Sequence, residues 1–236
     1  MLNSFKTILS QKTQLNSDTY LYHFNLLEPR EINFKAGQYL MIKIPTNKGP
    51  ISRLYSIASS SLEKNTLEFI IQIFPGGIAS SYLFNLKIND AVVFHGPAGM
   101  FGLKKNNRPK IFLVTGTGIA PVRSMLESYQ LPVSSYQLFW GMKTYKDVYL
   151  FDKLKEFNPK ICLSREQNLD IIPENDKKYF ELGHVDSCFD QYIENCKLKI
   201  ENLDFYLCGG RLIVESLKQF LLNKNICSEN IYFEKF

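Results

Sequence analysis

One segment in the middle of the chain has the residue types that could bind a phosphate group. Residues 114–121 read VTGTGIAP, with an apolar run before them and a helical pattern after them. Gly116 and Gly118 would let the backbone approach a pyrophosphate, and the free amides at a helix start carry partial positive charge. Pro121 suits a first helical turn, but it stands where the G-x-G-x-x-G fingerprint has its third glycine. For this segment alone, a strand-to-helix turn without a ligand is the open alternative.

A second segment, Arg53-Leu-Tyr55-Ser56, combines a cation with an aromatic ring. Because side chains alternate along a strand, Arg53 and Tyr55 would share one face. The guanidinium could pair with phosphate oxygens, and the tyrosine ring could stack on a flat ligand. Ser56 would add a small hydrogen-bond donor. The alternative is a half-buried strand with an ordinary arginine.

A third segment, residues 74–80 (FPGGIAS), predicts a turn that leads into a helix. Ser80 is expected to be the N-cap residue of that helix. With Gly76 and Gly77 before it, the helix start would offer amides to a second phosphate. Taken alone the segment is a weak signal, since most capped helices bind no ligand.

The elements before about residue 103 are predicted to be mainly strands. Short runs rich in β-branched and aromatic residues alternate with turn residues, which indicates an antiparallel barrel or sandwich. The predicted strands are Tyr20–Leu27, Tyr39–Ile44, Leu54–Ala58, Leu67–Phe74 and Ala91–His95. One short helix is expected at Ser80–Leu86.

After residue 109 strands and helices alternate, which predicts a doubly wound α/β domain with a parallel sheet and ligands at the carboxyl ends of its strands. The predicted strands are Ile111–Val114, Gln137–Trp140, Ile161–Ser164, Phe205–Cys208 and Ile231–Phe233. The predicted helices are Pro121–Tyr129, Asp147–Phe157, Asp186–Asn195 and Leu212–Leu222. Two domains, residues 1–105 and 106–236, are therefore expected.

The composition is that of a globular protein with a real core, since 45% of the 236 residues are hydrophobic and 22% are charged. No run reaches the roughly 18 apolar residues of a membrane helix, and the N-terminus is too polar for a secretory signal, so a cytoplasmic location is expected. The five cysteines lack iron–sulfur spacing, and no metal site is predicted. The net charge of +5 reflects ordinary surface lysine or a face for an acidic protein partner. No clustered basic stripe supports a nucleic-acid binder.

Five motifs occur in the order found in the ferredoxin–NADP reductase family, which the chain resembles over roughly residues 5–236. The motifs are Arg53–Ser59, Gly77–Ser80, Gly96–Gly99, Thr115–Pro121 and Tyr206–Gly209. Their combination is far more specific than any one of them. The resemblance implies an FAD-binding antiparallel β-barrel followed by an NAD(P)-binding α/β domain, in agreement with the two patterns above.

The resemblance also implies roles for individual residues. Arg53 would hold the FAD pyrophosphate, Tyr55 would stack on the isoalloxazine, and Ser56 would lie by the flavin N5. The further FAD contacts would be Gly76, Gly77 and Ser80. The residues expected under the pyridine dinucleotide are Thr115, Gly116, Thr117, Gly118, Pro121 and Gly209.

The expected catalytic group combines Ser56 with Cys208 and two residues at the end of the chain. Cys208 matches the family cysteine beside the nicotinamide ring, and a buried structural thiol is its alternative. Glu234 and Phe236 resemble the Glu-x-Tyr ending of plant-type members, with phenylalanine in place of tyrosine. The stacking surface is kept and the hydroxyl is lost. A frayed terminal strand is the alternative here.

NADP(H) is the expected nicotinamide cofactor. Ser164 and Arg165 resemble the plant-type residues that contact the 2′-phosphate, and Lys177 and Tyr179 resemble the Lys-x-Tyr pair of the same group. A hydroxyl, a guanidinium and an ammonium in one place would suit a dianion. NAD(H) is the open alternative, and residues 177–179 could simply open the next segment.

The resemblance implies hydride transfer between NADP(H) and FAD, with electrons passed to or from a separate carrier such as ferredoxin, flavodoxin or an oxygenase component. The cofactors carry this chemistry, and the protein positions nicotinamide C4 against flavin N5. One alternative is an NADH-dependent reductase that feeds an oxygenase or a haem protein. Another is a non-catalytic flavin-binding subunit that relays electrons or regulates a complex. Neither a nucleic-acid partner nor a membrane span is expected.

Overall fold

The structure is a computed structural model that describes residues 3–197 and 199–236. Its contacts divide the chain into two units. Unit 1 comprises the residues up to Leu103 together with Ala120–Tyr129. Unit 2 comprises Lys104–Ile119 and Gln130–Phe236. Each unit has a sheet and a hydrophobic core of its own.

Unit 1 is built on a six-stranded sheet in which all neighbouring strands are antiparallel. Its strands are β1 (Asn3–Gln14), β2 (Thr19–Glu28), β3 (Tyr39–Ile44), β4 (Ile51–Ser56), β5 (Thr66–Gln72) and β6 (Ala91–Ala98), in the order β4-β3-β6-β1-β2-β5. Its helices are α1 (Ile78–Asn85) and most of α2 (Ile119–Tyr129). The N–H of Ala58, just after β4, donates to the Glu68 carbonyl in β5 at 2.8 Å, so the edge strands approach each other. The predicted antiparallel barrel is confirmed.

The strands of unit 1 bury alternate side chains, as a half-buried sheet requires. In β3, Leu40 and Ile42 are buried, while Met41 between them and Lys43 after them are more exposed. The rings of Phe24, Phe69 and Phe94, from three different strands, meet at centroid separations of 5.0–6.0 Å. This aromatic cluster lies in the core of the unit.

Strand β1 is the longest strand of the chain's described part, and it was not predicted from the sequence. Its inward residues include Thr7 between Phe5 and Leu9, so the apolar alternation is interrupted. Thr7 is tolerated in the core because its hydroxyl donates to the Val92 carbonyl at 3.0 Å. A buried, hydrogen-bonded threonine therefore interrupts the apolar alternation by which a strand is predicted from sequence.

Unit 2 is built on a six-stranded parallel sheet in the order β10-β9-β8-β7-β11-β12. Its strands are β7 (Lys110–Thr115), β8 (Tyr136–Met142), β9 (Lys160–Leu163), β10 (Phe180–Leu182), β11 (Asp204–Gly209) and β12 (Ile231–Lys235). Its α-helices are α3 (Phe151–Leu154), α4 (Val185–Cys196) and α5 (Arg211–Asn223). Among the helices of the described residues, none has the length and apolar character needed to cross a membrane.

The strand order of unit 2 reverses at its centre. From β7 the chain moves outward through β8, β9 and β10, and it then returns to the other side of β7 with β11 and β12. In open α/β sheets, ligands bind in the crevice that such a reversal leaves at the carboxyl ends of the strands. The predicted doubly wound parallel sheet is confirmed, and its strand order reverses between β7 and β11.

The continuous helix expected over residues 147–157 was wrong. The segment instead contains a 3-10 turn at Tyr145–Asp147, the four-residue helix α3, and a second 3-10 turn at Lys155–Phe157. Leu150 has φ +52°, a left-handed conformation that interrupts an α-helix. The short strand β10 also escaped the sequence analysis, because three residues are too few to show a period.

Candidate functional site

Strand β4 carries the first group of predicted FAD contacts. Arg53 is exposed, and its Nη1 donates to the Ser52 carbonyl at 2.8 Å. Burial raises the pKa of the half-buried Tyr55 hydroxyl, and the positive charge of Arg53 opposes that rise. Because side chains alternate along a strand, Arg53 and Tyr55 lie on the same face of β4. Ser56 is half-buried at the end of the strand.

Helix α1 begins earlier than the sequence predicted. Gly77 is its N-cap residue, with φ −74° and ψ 127°, and Ser80 lies inside the helix. The prediction of Ser80 as the N-cap was therefore wrong. Its Oγ accepts a hydrogen bond from the Phe74 N–H at 2.9 Å, so the hydroxyl fixes the preceding turn. Gly77 offers no side chain to the first amides of α1, which leaves them for a ligand or solvent.

The turn before α1 has space beside it. Gly76 has φ +78°, and a Cβ placed there would meet no atom within 4 Å. A cavity of about 440 Å³ adjoins the turn, and its lining includes Tyr20, Phe74, Gly76 and Phe84. This volume is within the range of small-molecule sites. Unit 1 therefore places a partly aromatic cavity next to the predicted FAD-binding turn.

In unit 2, the segment Thr115–Gly118 (the nucleotide loop) packs closely against the end of β11. A Cβ at Gly118 would lie 2.3 Å from the Cys208 carbonyl oxygen. A Cβ at Gly209 would lie 2.2 Å from Thr115 Oγ1. Since no side chain fits at these distances, both positions require glycine. At the reversal point, the nucleotide loop and the carboxyl end of β11 therefore pack with almost no side chain between their backbones.

The nucleotide loop leaves room for a ligand at its first glycine. Gly116 has φ +51°, and a Cβ there would meet no atom within 4 Å. Residues 116–118 form a 3-10 turn that continues directly into α2, with half-buried Thr117 at its middle and Pro121 in the first turn of the helix. A strand, an open glycine turn and a helix start follow one another here, which is the arrangement of dinucleotide-binding loops.

Trp140 contacts this loop, a role that was not predicted from the sequence. It is fully buried in β8, and its Nε1 donates to the Gly116 carbonyl at 3.0 Å. The available signal was its position at the carboxyl end of a parallel strand, directly before Gly141. A residue at that edge of the sheet is well placed to meet a loop from the neighbouring strand.

The predicted catalytic residues of unit 2 lie on adjacent strands. In the parallel register Cys208 stands opposite Glu234. Burial and the charge of Glu234 raise the pKa of Cys208 against a weaker opposing hydrogen bond from the Gly209 N–H, so the group stays a neutral thiol. The Phe236 N–H donates to the Gly209 carbonyl at 3.2 Å, and the Phe236 carbonyl accepts from the Arg211 N–H at 3.1 Å. The terminal backbone is therefore anchored, while the Phe236 ring is 58% exposed.

Two exposed cations lie at the carboxyl edge of unit 2. Ser164, directly after β9, donates to the Met142 carbonyl through its N–H at 3.0 Å and its Oγ at 3.3 Å. The Arg165 N–H donates to the Lys143 carbonyl at 2.8 Å. The two exposed cations are the side chains of Arg165 and Lys143. In the same segment Glu166 accepts a hydrogen bond from a backbone N–H, that of residue 145, at 2.9 Å.

Lys177 and Tyr179 lie near the amino ends of the strands, whereas Ser164 and Arg165 follow the carboxyl end of β9. The first two belong to the 3-10 helix Glu174–Tyr179, which ends where β10 begins. Because β10 runs parallel to β9, Tyr179 lies level with Lys160 at the start of β9, and Ser164 is about 13 Å further along at about 3.3 Å per residue. The Lys177 ammonium pairs with Glu174 at 2.7 Å. The structure therefore does not bring Lys177 together with Ser164.

A buried ion network in unit 1 was also absent from the sequence analysis. Arg123 of α2 is 5% exposed and contacts Glu68 at 2.6 Å and Glu127 at 2.7 Å. The Nδ1 of His23 lies 3.1 Å from Glu68. Burial raises the pKa of Glu68, but the hydrogen bond from His23 and the charge of Arg123 outweigh it and lower the pKa to about 2. The network holds α2 on β5.

Comparison with known proteins agrees with this geometry. The Oxidoreductase FAD-binding domain model matches residues 6–102, and the Oxidoreductase NAD-binding domain model matches residues 112–219. The toluate 1,2-dioxygenase electron transfer component of Pseudomonas putida is 32% identical over 98% of this chain and 67% of its own length. The chain belongs to the ferredoxin–NADP reductase family. A second relative, the 2-halobenzoate 1,2-dioxygenase electron transfer component of Burkholderia cepacia, is 30% identical over 98% of this chain and 68% of its own length.

Solved structures show that the fold is that of the ferredoxin–NADP reductase family. A ferredoxin NADP+ reductase from Neisseria gonorrhoeae, with bound FAD and NADP, has a TM-score of 0.81 at 20% identity, covering 99% of this chain and 98% of that one. A cytochrome P450 reductase from Amycolatopsis has a TM-score of 0.85 at 23% identity, covering 100% of this chain and 70% of that one.

As a member of the ferredoxin–NADP reductase family, the protein is an FAD-dependent oxidoreductase with a pyridine-nucleotide-binding domain. It spans about two thirds of the length of the two dioxygenase components. The roles of its individual site residues stay predictions.

Proposed function

We propose that this chain is the flavin-containing reductase of an oxygenase system, which takes a hydride from a reduced nicotinamide dinucleotide and delivers electrons to a separate protein. The proposed FAD-binding domain is residues 1–105, and the proposed nucleotide-binding domain is residues 106–236. The observation that carries the proposal is the open glycine turn at Gly116, at the point where the strand order of the parallel sheet reverses. The relatives named as dioxygenase electron transfer components support the choice of acceptor.

The residues of unit 1 fit FAD. Arg53 is exposed, and its guanidinium has five N–H donors, of which the hydrogen bond from Nη1 to the Ser52 carbonyl uses one, so others can meet a pyrophosphate. Tyr55 supplies a half-buried ring on the same side of β4, and the uncapped start of α1 supplies amides. When bound, FAD supplies the ability to accept two electrons as a hydride and to release them singly. Arg53 and α1 would hold its phosphates, and Ser56 would donate a hydrogen bond near N5.

The residues of unit 2 fit a dinucleotide whose nicotinamide lies by Cys208. The nucleotide loop would hold the pyrophosphate, and the neutral Cys208 thiol would pack against the ring without acting as a nucleophile. Glu234, opposite Cys208, would place a carboxylate at the same strand end. The exposed Phe236 ring would cover a flat surface and exclude water from it.

NADH is the donor that the arrangement of charges favours. Lys177 is paired with Glu174 and precedes the start of β10, whereas Arg165 follows the end of β9, which makes Lys177 a weaker candidate for a contact with the 2′-phosphate. Glu166, the residue after Arg165, adds a carboxylate to the same segment, which suits a ribose hydroxyl better than a dianion. NADPH is the second candidate, supported by the exposed cations Arg165 and Lys143 at that edge.

Anaerobic reduction of the FAD-loaded chain tests the proposal. We expect the flavin absorbance to bleach with either nucleotide, with kcat/KM at least about tenfold higher for NADH. Arg165→Ala should lower the rate with NADPH and leave that with NADH within about twofold, and Lys177→Ala should change neither. An absorbance unaffected by both donors would contradict the hydride-transfer proposal, and a faster reaction with NADPH would replace NADH as the donor.

The proposed acceptor is an oxygenase component, or an acidic carrier such as a ferredoxin or flavodoxin. The net charge of +5 supports an acidic partner, because opposite charge speeds the encounter of two proteins. A non-catalytic relay subunit is less consistent with a chain that keeps the predicted flavin and nicotinamide contacts in both units. A cytoplasmic location stays a prediction from the sequence.

A further inference from the structure

Trp140 occupies a position that packing alone does not explain. It stands opposite Val114 in the parallel pairing of β8 with β7, directly beside the strand that ends in the nucleotide loop. Its ring is fully buried, yet its Nε1–H is directed to a carbonyl 24 positions away in sequence, that of Gly116, at 3.0 Å. Packing in the core explains why the carbon atoms of the ring are buried. The hydrogen bond from Nε1 in addition connects Trp140 to the nucleotide loop.

The Gly116 carbonyl accepts two hydrogen bonds. One comes from the Ile119 N–H and closes the 3-10 turn, and the other comes from the Trp140 indole. A carbonyl has two lone pairs, so both acceptor sites are used. Gly116 has φ +51° and no side chain to restrict it, and the two hydrogen bonds therefore fix the peptide plane that it shares with Thr117. In a trans peptide the N–H points away from the carbonyl, so Trp140 also sets the direction of the Thr117 N–H.

The indole is itself held in one orientation. The Tyr149 ring meets it edge to face at a centroid distance of 5.0 Å and an interplanar angle of 72°. The next residue, Gly141, is closely packed on both sides, since a Cβ there would lie 2.6 Å from Val185 Cγ2 and 3.0 Å from Thr115 Cγ2. Trp140 and Gly141 thus supply a fixed donor and a close-packing surface for the same loop.

We infer that Trp140 is a positioning residue for the nicotinamide dinucleotide. Its indole N–H holds the Gly116–Thr117 peptide so that the Thr117 N–H is presented to the pyrophosphate on the open side of the loop. The inference rests on the proposed function, because it takes the nucleotide loop as the pyrophosphate site. It adds to that function a residue that does not touch the ligand and acts through the carbonyl of Gly116.

The test compares Trp140→Phe with Tyr136→Phe in the FAD-loaded protein. The first removes the indole N–H and keeps an aromatic ring, and the second removes a hydroxyl from the amino end of the same strand. Calorimetric titrations use NAD+ and NADP+ separately. Loss of one hydrogen bond should weaken binding by Trp140→Phe about three- to tenfold, raise KM by a similar factor and leave kcat unchanged. Tyr136→Phe should bind like the wild type. Binding by Trp140→Phe within about twofold of wild type would overturn the inference.

A measurement on the unmodified protein covers the case in which Trp140→Phe does not fold. Trp140 is the single tryptophan of the chain, so indole emission reports on this residue alone. Binding of oxidised nucleotide should change the intensity or wavelength of that emission, and unchanged emission at saturation would overturn the inference. If the wild type binds nucleotide but its flavin is not reduced, the proposed function fails while the Trp140 comparison still decides the inference. If it binds neither nucleotide, both fail.

Discussion

Arg53 and Ser56 stand on the same strand, but they are expected to serve different parts of one cofactor. Arg53 is exposed and charged, which suits a pyrophosphate, whereas Ser56 is half-buried at the strand end, which suits a contact to the edge of a ring. Arg53 would make an ionic contact and Ser56 a neutral one, so substitutions at the two positions should have different effects.

Arg53→Ala should weaken FAD retention, because a charge-assisted contact to phosphate contributes about 1.5–3 kcal/mol. We expect the ratio of bound flavin to protein after gel filtration to fall. Ser56→Ala should keep a full complement of FAD and slow anaerobic reduction about tenfold. Loss of FAD from Ser56→Ala with normal turnover after reconstitution would contradict these assignments.

The pKa of Glu68 gives a second prediction at the residue scale. Its pKa is about 2 in the folded chain against an ordinary value of 4.5, so its stabilising effect is complete above about pH 4.5 and is lost as the pH falls toward 2. At pH 7 the contribution is about 3 kcal/mol, since each unit of pKa difference corresponds to about 1.36 kcal/mol.

Glu68→Gln should therefore lower the free energy of unfolding by about that amount at pH 7 and by much less at pH 2.5. Urea denaturation at both pH values measures the difference. Glu63→Gln, at an exposed glutamate of the same unit, is the control and should have little effect at either pH. Equal losses for Glu68→Gln at both pH values would show that the carboxylate's charge is not what stabilises the fold.

At the scale of elements, the close approach of β7 and β11 determines the shape of the nucleotide loop. The carboxyl ends of these two strands leave no space for a side chain at Gly118 or Gly209, while Gly116 stays open. A crowded side and an open side on one short loop are what a backbone needs to lie against a phosphate. The geometry of the strand pair therefore decides where a ligand can enter.

Gly118→Ala tests this arrangement. Its Cβ would clash with the Cys208 carbonyl oxygen, so the loop must shift, at a cost of about 1–3 kcal/mol in stability. Nucleotide affinity should fall at least tenfold, while FAD content stays unchanged. Gly210→Ala is the matched control, because a Cβ there meets no atom within 4 Å and its φ is −60°. Equal nucleotide affinity in the two variants would contradict the packing argument.

At the scale of the whole molecule, the two units follow contacts rather than the order of the chain. Residues 120–129 of α2 belong to unit 1, although they directly follow the nucleotide loop of unit 2. The buried Arg123 and its pairing with Glu68 give a physical reason, since separating them would leave a charge buried and unpaired. A single boundary along the sequence, such as that between residues 105 and 106, cannot assign residues 120–129 to unit 1 and the residues on either side of them to unit 2.

The sequence by itself determined the fold class, the family and most of the elements. These rest on local patterns, namely alternation in strands such as β3, continuous apolar runs such as β7, and glycines at a strand-to-helix turn. Such signals lie within a few neighbouring residues, so they survive without knowledge of the packing. Where a pattern was interrupted, as by Thr7 in β1 or by the left-handed Leu150, the prediction failed.

Only the tertiary structure decided which distant residues meet. It showed that the Trp140 indole reaches Gly116, that Arg123 is buried against Glu68, and that Lys177 lies near the amino ends of the strands. It also moved the N-cap of α1 from Ser80 to Gly77. Sequence spacing specifies the face on which a side chain lies, but strand register and helix packing bring separate faces together, and these depend on the whole core at once.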